Sequence, residues 1–262
     1  MKKWSEYFVD NENIALYEQV FKDLHIIDCH THLGNDIDGH KQSIARLIRE
    51  MDRLGIEKSI SFPLNTGGEY HNANNLVLNA HKKYTDRIIP FFRLNPHTNW
   101  KSEAKLRVEQ GFKGVKLHPR SQHFKISTAS KIFGMAEDND LMVMVHTGLG
   151  VPSLVDDLKK MAKLYPKLRM MLGHSAFIDL NEGIRELGRF KNVRFEISTI
   201  KIFDLFALLK KIPPEKILFG SDTPYYDPQL SIEMLLDTAL MVGKKPQEIK
   251  KILEFNARGW LE

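Results

Sequence analysis

The chain has 262 residues, of which 42% are hydrophobic and 27% are charged, with a formal net charge of +5 and a pI near 9.1. This composition is typical of a soluble globular protein with a sizeable core, and since no run approaches the ~18 apolar residues of a membrane span, we expect no membrane partner. The mildly basic charge suits a small anionic molecule, while its even spread argues against nucleic acid as a partner.

Short apolar runs alternate with helical patterns through nearly the whole sequence, which predicts a parallel sheet with crossover helices. The eight predicted strands are Ile26–His32, Lys58–Leu64, Ile88–Asn95, Gly114–His118, Leu141–Thr147, Leu168–Ser175, Val193–Ser198 and Lys216–Asp222. Between them, stretches such as "SIARLIREMDRLG" and "SIEMLLDTALMVG" have apolar residues three and four positions apart, as amphipathic helices do.

Eight strand–helix units in about 250 residues match the size of a (β/α)₈ barrel. We therefore predict an α/β fold, a (β/α)₈ TIM barrel in a single domain over residues 1–262, with an N-terminal helical lead-in and a C-terminal helix in "PQEIKKILEFNARGWL". A doubly wound open sheet would show the same alternation, but the Gly-rich dinucleotide fingerprint after the first strand is absent. The first residues lack the apolar segment of a signal peptide, so we expect a cytoplasmic location.

The first strand, "IIDCHTH", ends in an acid and two imidazoles at alternate positions. Successive side chains of a strand point to opposite faces, so Asp28, His30 and His32 are predicted to share one face. Two imidazoles on a rigid strand can chelate one metal ion, although ordinary solvated polar residues would give the same pattern. Cys29 is the single cysteine, and we expect it to face away from the histidines as a buried, inert thiol.

Polar residues also close the other predicted strands. The fifth strand ends at His146, the sixth reaches His174 and the eighth reaches Asp222. Since the active site of such a barrel lies at the carboxyl ends of the strands, these side chains are predicted to meet the two histidines of the first strand. Four imidazoles and a carboxylate at one height favour a metal site.

The fourth strand, "GVKLH", is predicted to point Lys116 and His118 into the barrel, and the seventh does the same with Glu196 and Ser198. Two interpretations of Lys116 stay open, namely substrate binding and a structural ion pair with Glu196. Arg93 and Asn95 share the inward parity of the third strand, and Arg120 follows the fourth. Capping and loop support explain each of these three residues equally well.

Six motifs, "DCHTH", "GVKLHP", "VHTG", "GHSA", "FGSDTP" and "NAR", together resemble the metal-dependent amidohydrolase superfamily. The resemblance is to the amidohydrolase-2 branch, which contains aminocarboxymuconate-semialdehyde decarboxylase, and it covers the chain from the first strand to the last helix. It implies one divalent transition metal, with zinc favoured over manganese or iron and a second metal left open. The implied metal ligands are His30, His32, His146 and Asp222.

The resemblance also implies roles in catalysis. Asp222 would accept a proton from water, and His174 would act as a catalytic imidazole or complete a second metal site. Lys116, His118 and Arg120 would hold a substrate carboxylate by charge-assisted hydrogen bonds.

We therefore predict a metal-dependent hydrolase that cleaves an amide, ester or lactone of a small anionic molecule. Three alternatives stay open: a decarboxylase or hydratase of the same branch, a TatD-like deoxyribonuclease, and a non-catalytic metal-binding scaffold. Known decarboxylases of the branch tend to be longer, which favours hydrolysis, and the TatD-like interpretation lacks a metal-bridging glutamate on the fourth strand. A homodimer is an open alternative to a monomer.

Overall fold

Nine strands form one sheet in the computed structural model, which describes residues 14–148 and 154–261. They are β1 (Ile26–Asn35), β2 (Lys41–Gln42), β3 (Ile56–Pro63), β4 (Ile88–Arg93), β5 (Gly114–Leu117), β6 (Met142–His146), β7 (Met170–Gly173), β8 (Val193–Glu196) and β9 (Ile217–Leu218). The order in the sheet is β2-β1-β3-β4-β5-β6-β7-β8-β9, and every pairing is parallel except that of β1 with β2.

The first and last parallel strands meet and close the sheet into a barrel. Thr31 forms a parallel bridge with Thr223. In addition, the Cys29 amide donates to the Phe219 carbonyl at 2.9 Å, and the Asp222 amide donates to the His30 carbonyl at 2.8 Å. Closure of eight parallel strands with intervening helices confirms the predicted (β/α)₈ barrel.

Helices follow most of the strands and cover the outside of the barrel. They are α1 (Ile14–Phe21), α2 (Ile44–Leu54), α3 (His71–Lys83), α4 (Trp100–Glu109), α5 (Ser130–Asp138), α6 (Val155–Leu164), α7 (Leu180–Leu187), α8 (Ile202–Lys211), α9 (Pro228–Met241), α10 (Pro246–Lys250) and α11 (Asn256–Leu261). None of the helices within residues 14–148 and 154–261 is long and apolar enough to cross a lipid bilayer. The helical lead-in is present as α1; residues 1–13 lie outside the described residues, so the single-domain assignment of residues 1–262 stays a prediction.

Helix α2 shows how the sequence pattern sets these elements. The Ser43 side chain accepts a hydrogen bond from the Arg46 amide, which satisfies a free donor of the first turn. Gly55 ends the helix at φ +67°, a left-handed conformation that glycine adopts without steric cost. Apolar residues with helical spacing face the barrel and are buried, namely Leu47, Ile48, Met51 and Leu54.

Alternate residues of the strands face two different cores. In β6, Val143 and Val145 pack in the larger core between sheet and helices, whereas Met144 packs in the smaller core that fills the barrel. Cys29 also belongs to the smaller core, together with Phe62, which contacts His30 and His32, so the prediction that Cys29 faces away from the histidines is wrong. The register of β1 against β3 shifts between Asp28 and Thr31, which interrupts the alternation of faces. Burial raises the pKa of the Cys29 thiol, as expected for an inert cysteine.

The largest difference from the predicted strands lies at the end of the barrel sheet. The predicted strand over residues 216–222 is reduced to β9, because the chain leaves the ladder after Leu218. Gly220 passes so close to its neighbours that an added Cβ would lie 2.2 Å from Glu196 Oε1 and 2.7 Å from His30 Cβ. Asp222 then takes φ +65°, outside the extended range of a strand. This irregular backbone carries the Asp222 carboxylate into the site.

Candidate active site

A cavity of about 460 Å³ opens at the carboxyl ends of the strands. Seven of the eight predicted site residues line it, namely His32, Lys116, His118, Arg120, His146, His174 and Asp222. The eighth, His30, is fully buried and contacts Asp222. The structure therefore brings all eight residues to one place, while their individual roles stay predictions.

The two histidines of β1 converge on one carboxylate oxygen. Asp222 Oδ1 lies 3.1 Å from His30 Nε2 and 2.9 Å from His32 Nε2. The ligand atoms of these three buried residues all lie within 4.8 Å of one another, a spacing that could hold a metal ion. Although burial would raise the pKa of Asp222, contacts with His30 and His32 hold it well below the ordinary value, so the carboxylate is ionised.

Glu196 fixes His30 from the opposite side. Its Oε2 lies 2.6 Å from His30 Nδ1, and both side chains are fully buried. The Ser198 amide donates to Glu196 Oε1 at 2.5 Å, and the Ser198 hydroxyl donates to Oε2 at 2.9 Å. The sequence predicted the inward direction of Glu196 but not this partner, because parity along a strand does not reveal the neighbour across the barrel.

His174 and His146 form a second chain of hydrogen bonds. His174 Nδ1 lies 3.1 Å from the Ser198 carbonyl oxygen, which can only accept, so His174 donates from Nδ1. Its Nε2 then accepts from His146 Nδ1 at 3.0 Å. This arrangement leaves the lone pair on His146 Nε2, a buried atom without a hydrogen-bond partner in the described part of the chain.

Four imidazoles of the cavity are held neutral by burial, namely His32, His118, His146 and His174. Burial lowers the pKa of His32 to about 3 and that of His174 to about 4. Burial, together with the neighbouring His118, also lowers the pKa of His146 well below the ordinary value. Neutral imidazoles keep a lone pair that can bind a cation at pH 7.

Lys116 lies deep in the site beside His30. Its Nζ is 3.1 Å from His30 Nε2 and 4.6 Å from the centroid of the Phe62 ring. The structure describes both Lys116 and Glu196, and no ion pair within 4.0 Å joins them, because the Glu196 carboxylate contacts His30 Nδ1. Burial, reinforced by the positive charge of Arg93, lowers the pKa of Lys116 to about 7. The structural ion pair with Glu196, one of the two interpretations, is therefore absent, and substrate binding by Lys116 stays a prediction.

The other two residues predicted to bind substrate occupy the wall and the rim. The His118 ring stacks on the His146 ring with centroids 3.7 Å apart and an interplanar angle of 15°. Arg120 is exposed, whereas Lys116 is buried. Residues that the sequence did not single out also line the cavity, among them Asp36, Asn65 and Tyr225. They lie on loops after the strands, where the spacing of the sequence carries no signal.

The donor set fits a divalent transition metal. Ligands at Zn–N and Zn–O distances of about 2.0–2.2 Å lie roughly 3.0–3.6 Å apart, close to the separations found between Asp222 and the two β1 histidines. The ligand atoms of a second group also lie within 4.8 Å of one another. This group consists of His30, His174 and Glu196, and it shares His30 with the first group. His146 belongs to neither group, but its buried Nε2 has no hydrogen-bond partner among the described residues, so its lone pair is available to a cation. Imidazoles with one carboxylate suit zinc, manganese or iron rather than calcium.

A parallel barrel with imidazoles and carboxylates at the carboxyl ends of its strands defines a TIM-barrel protein with a potential metal centre. The sequence profile of the amidohydrolase family, in its amidohydrolase-2 form, matches residues 27–262. The chain belongs to the amidohydrolase family, as its motifs indicated. A search of curated proteins gives no significant match.

Solved structures support the same fold. An uncharacterised TIM-barrel protein from Bordetella bronchiseptica is 18% identical, with a TM-score of 0.71 over 91% of this chain and 98% of that chain. A probable 2-pyrone-4,6-dicarboxylic acid hydrolase from Acinetobacter baumannii, with citric acid bound, is 17% identical, with a TM-score of 0.70 over 91% of this chain and 99% of that one. A 2,6-dihydroxybenzoate decarboxylase from Rhizobium is 15% identical, with a TM-score of 0.67 over 91% and 98% of the two chains. At these identities the likeness concerns the fold.

Proposed function

We propose that the chain is a metal-dependent hydrolase that cleaves a C–N or C–O bond, in an amide, ester or lactone, of a small anionic molecule. The observation that carries the proposal is the convergence of His30 Nε2 and His32 Nε2 on an ionised Asp222 at the wall of a cavity. In this proposal the metal is held by His30, His32, His146 and Asp222, and zinc is favoured.

The metal would supply Lewis acidity, which makes water a nucleophile near neutral pH. Asp222 is ionised and lines the cavity, so it accepts the proton of the attacking water. The water oxygen bonds to the carbonyl carbon, the bond to the leaving nitrogen or oxygen breaks, and the proton passes from Asp222 to the leaving group. The neutral His174 ring contacts the reacting group and orients it, while Glu196 keeps the His30 ring in place.

Cationic and polar groups on one wall of the cavity support an anionic substrate. Lys116, His118 and Arg120 come from β5 and the loop that follows it, so they lie on one side of the reacting groups. A carboxylate bound there would direct the rest of a small molecule toward Asp222.

Decarboxylation is the second candidate, because a carboxylate held beside Lys116 could be the group that leaves. The similarity to the fold of a 2,6-dihydroxybenzoate decarboxylase is compatible with it. Hydrolysis is favoured because the ionised Asp222 carboxylate lines the cavity, where it can accept a proton from water.

The test loads the protein separately with zinc, manganese and iron and supplies a panel of small carboxylic acids that contain an amide, an ester or a lactone. We expect products that have gained one water, detected by mass spectrometry, only with a loaded protein. Release of carbon dioxide without gain of water would establish decarboxylation instead. A protein that retains none of the three metals would contradict both mechanisms.

A further inference from the structure

Arg93 is the last residue of β4, and its side chain is only 1% exposed. It lines the main cavity and also a neighbouring cavity of about 260 Å³, so the guanidinium separates the two. In the sheet its Cα pairs with that of Lys116 in β5. Two cationic side chains therefore lie side by side at the same height of the barrel.

The guanidinium of Arg93 lacks the partners that a buried charge requires. Among the described residues, its Nε and Nη1 atoms have no hydrogen-bond partner, and no carboxylate lies within 4.0 Å of the guanidinium. Its neighbour is Tyr70, whose ring centroid is 5.4 Å from Arg93 Cζ and whose hydroxyl also interacts with the guanidinium. An aromatic face offsets only a small part of the cost of burying a full charge.

A second buried arginine shows what the same fold does with a structural guanidinium. Arg107 is 0% exposed and is therefore as buried as Arg93, yet each nitrogen atom of its side chain donates a hydrogen bond. Its Nε donates to Glu103 at 2.6 Å, its Nη1 to Asn75 at 2.7 Å, and its Nη2 to the His71 carbonyl at 2.9 Å. Because Arg107 has a partner for each nitrogen atom, the two nitrogen atoms of Arg93 without a partner set Arg93 apart from a structural arginine.

Arg93 cannot relieve its burial by losing a proton, because a guanidinium stays charged in proteins. It therefore needs an anion, and the main cavity is where a ligand can bring one. We propose that Arg93, with Lys116 beside it, binds a carboxylate of the substrate. The planar donor fork of arginine matches the two oxygens of a carboxylate. This inference rests on the proposed function insofar as the bound molecule is the substrate.

The position of Arg93 restricts the class of substrate. The exposed Arg120 would bind an anionic group at the rim, whereas Arg93 and Lys116 bind it inside the barrel, close to His30 and Asp222. The substrate is then a small carboxylic acid that carries its carboxylate only a few bonds from the reacting atom. A molecule of this class fits a cavity of about 460 Å³.

The test uses benzoate as the probe and benzamide, which has the same shape without the charge, as its control. Binding is measured by isothermal titration calorimetry to the full chain, both loaded with zinc and stripped of metal. The stripped protein matters because benzoate could otherwise bind to zinc directly. The variants are Arg93→Gln, Arg93→Lys, Arg120→Gln and the exposed helix residue Arg49→Gln as a matched control.

We expect wild type to bind benzoate and not benzamide in both forms, and Arg93→Gln to lose about tenfold or more of this affinity. Arg93→Lys should retain part of it, and Arg49→Gln should match wild type. The proposal is overturned if wild type does not distinguish the two probes, or if Arg120→Gln loses the affinity while Arg93→Gln keeps it. Should Arg93→Gln fail to fold, Arg93→Lys and the benzoate preference of wild type still decide. Failure of the hydrolase proposal would appear as missing metal or turnover, with Arg93-dependent binding to the stripped protein intact.

Discussion

Glu196 Oε2 lies 2.6 Å from His30 Nδ1, with both side chains fully buried. The carboxylate accepts the Nδ1 proton, so Nε2 is the ring nitrogen that faces the site, 3.1 Å from Asp222 Oδ1. A residue on β8 thus decides which nitrogen of a residue on β1 is available to a cation. Glu196, which is not one of the four predicted metal ligands, thus orients the ring of His30, which is one of them.

The Glu196–His30 contact predicts the effect of Glu196→Gln. The amide removes the negative charge that supports the His30 tautomer, so zinc affinity should fall by roughly 10–100-fold. Competition with a chelating dye measures this. Glu109→Gln, at a residue whose side chain is 60% exposed in a surface ion pair, is the control and should leave zinc affinity unchanged. An unchanged affinity in Glu196→Gln would show that His30 is oriented without Glu196.

The donor set also predicts how much metal the protein binds. We expect elemental analysis to find about one divalent metal per chain, and His32→Asn to lower this content while the exposed His25→Asn does not. Chelation should remove activity and lower the melting temperature, because a metal that binds the folded state stabilises it. A second equivalent that disappears in His174→Asn would instead indicate two metals.

Asp222→Asn should abolish turnover while largely preserving the fold. The amide keeps the shape of the carboxylate, but it cannot accept the proton of the attacking water. Steady-state kinetics and circular dichroism test the two parts. Asp86→Asn, an exposed residue just before β4 at the opposite end of the barrel, is the control. Turnover within about tenfold of wild type would rule out Asp222 as the essential base.

Lys116→Met should raise KM for an anionic substrate and lower kcat if orientation depends on the ammonium, while metal content stays at about one per chain. The reason is the position of Lys116 Nζ in the cavity wall, 3.1 Å from His30. Loss of half of a two-metal complement would indicate a carboxylated lysine that bridges two metals. Unchanged kinetics with lowered stability would show a purely structural residue.

Arg93 and Arg107 should respond in opposite ways to removal of the charge. Arg93→Met deletes an unpaired buried cation, so the free energy of unfolding should stay the same or rise. Arg107→Met removes the buried ion pair with Glu103 and the hydrogen bonds of the guanidinium, and should lower the free energy of unfolding by about 3 kcal/mol. Urea unfolding with unchanged m-values measures both. Equal losses in the two variants would assign Arg93 a structural role.

The sequence by itself determined the parallel α/β architecture and the residues at the strand ends, and its length favoured a barrel. Alternating apolar runs and amphipathic helices required a parallel sheet, since each pattern buries one face only in that arrangement. Because the carboxyl ends of parallel strands in a barrel lie at one rim, the sequence predicts that residues as distant in the chain as His30 and Asp222 share one site.

Tertiary structure decided the pairings inside the barrel. Periodicity predicts that the Glu196 side chain points inward, but it does not predict which residue it contacts. Only the closed barrel shows that Glu196 hydrogen-bonds to His30 and forms no ion pair with Lys116. The sequence likewise gave Arg93 an inward direction that capping could explain; only the packing of neighbouring side chains shows that two of its nitrogen atoms have no partner. Pairing across a barrel depends on shear and register between strands far apart in the chain, which local patterns do not encode.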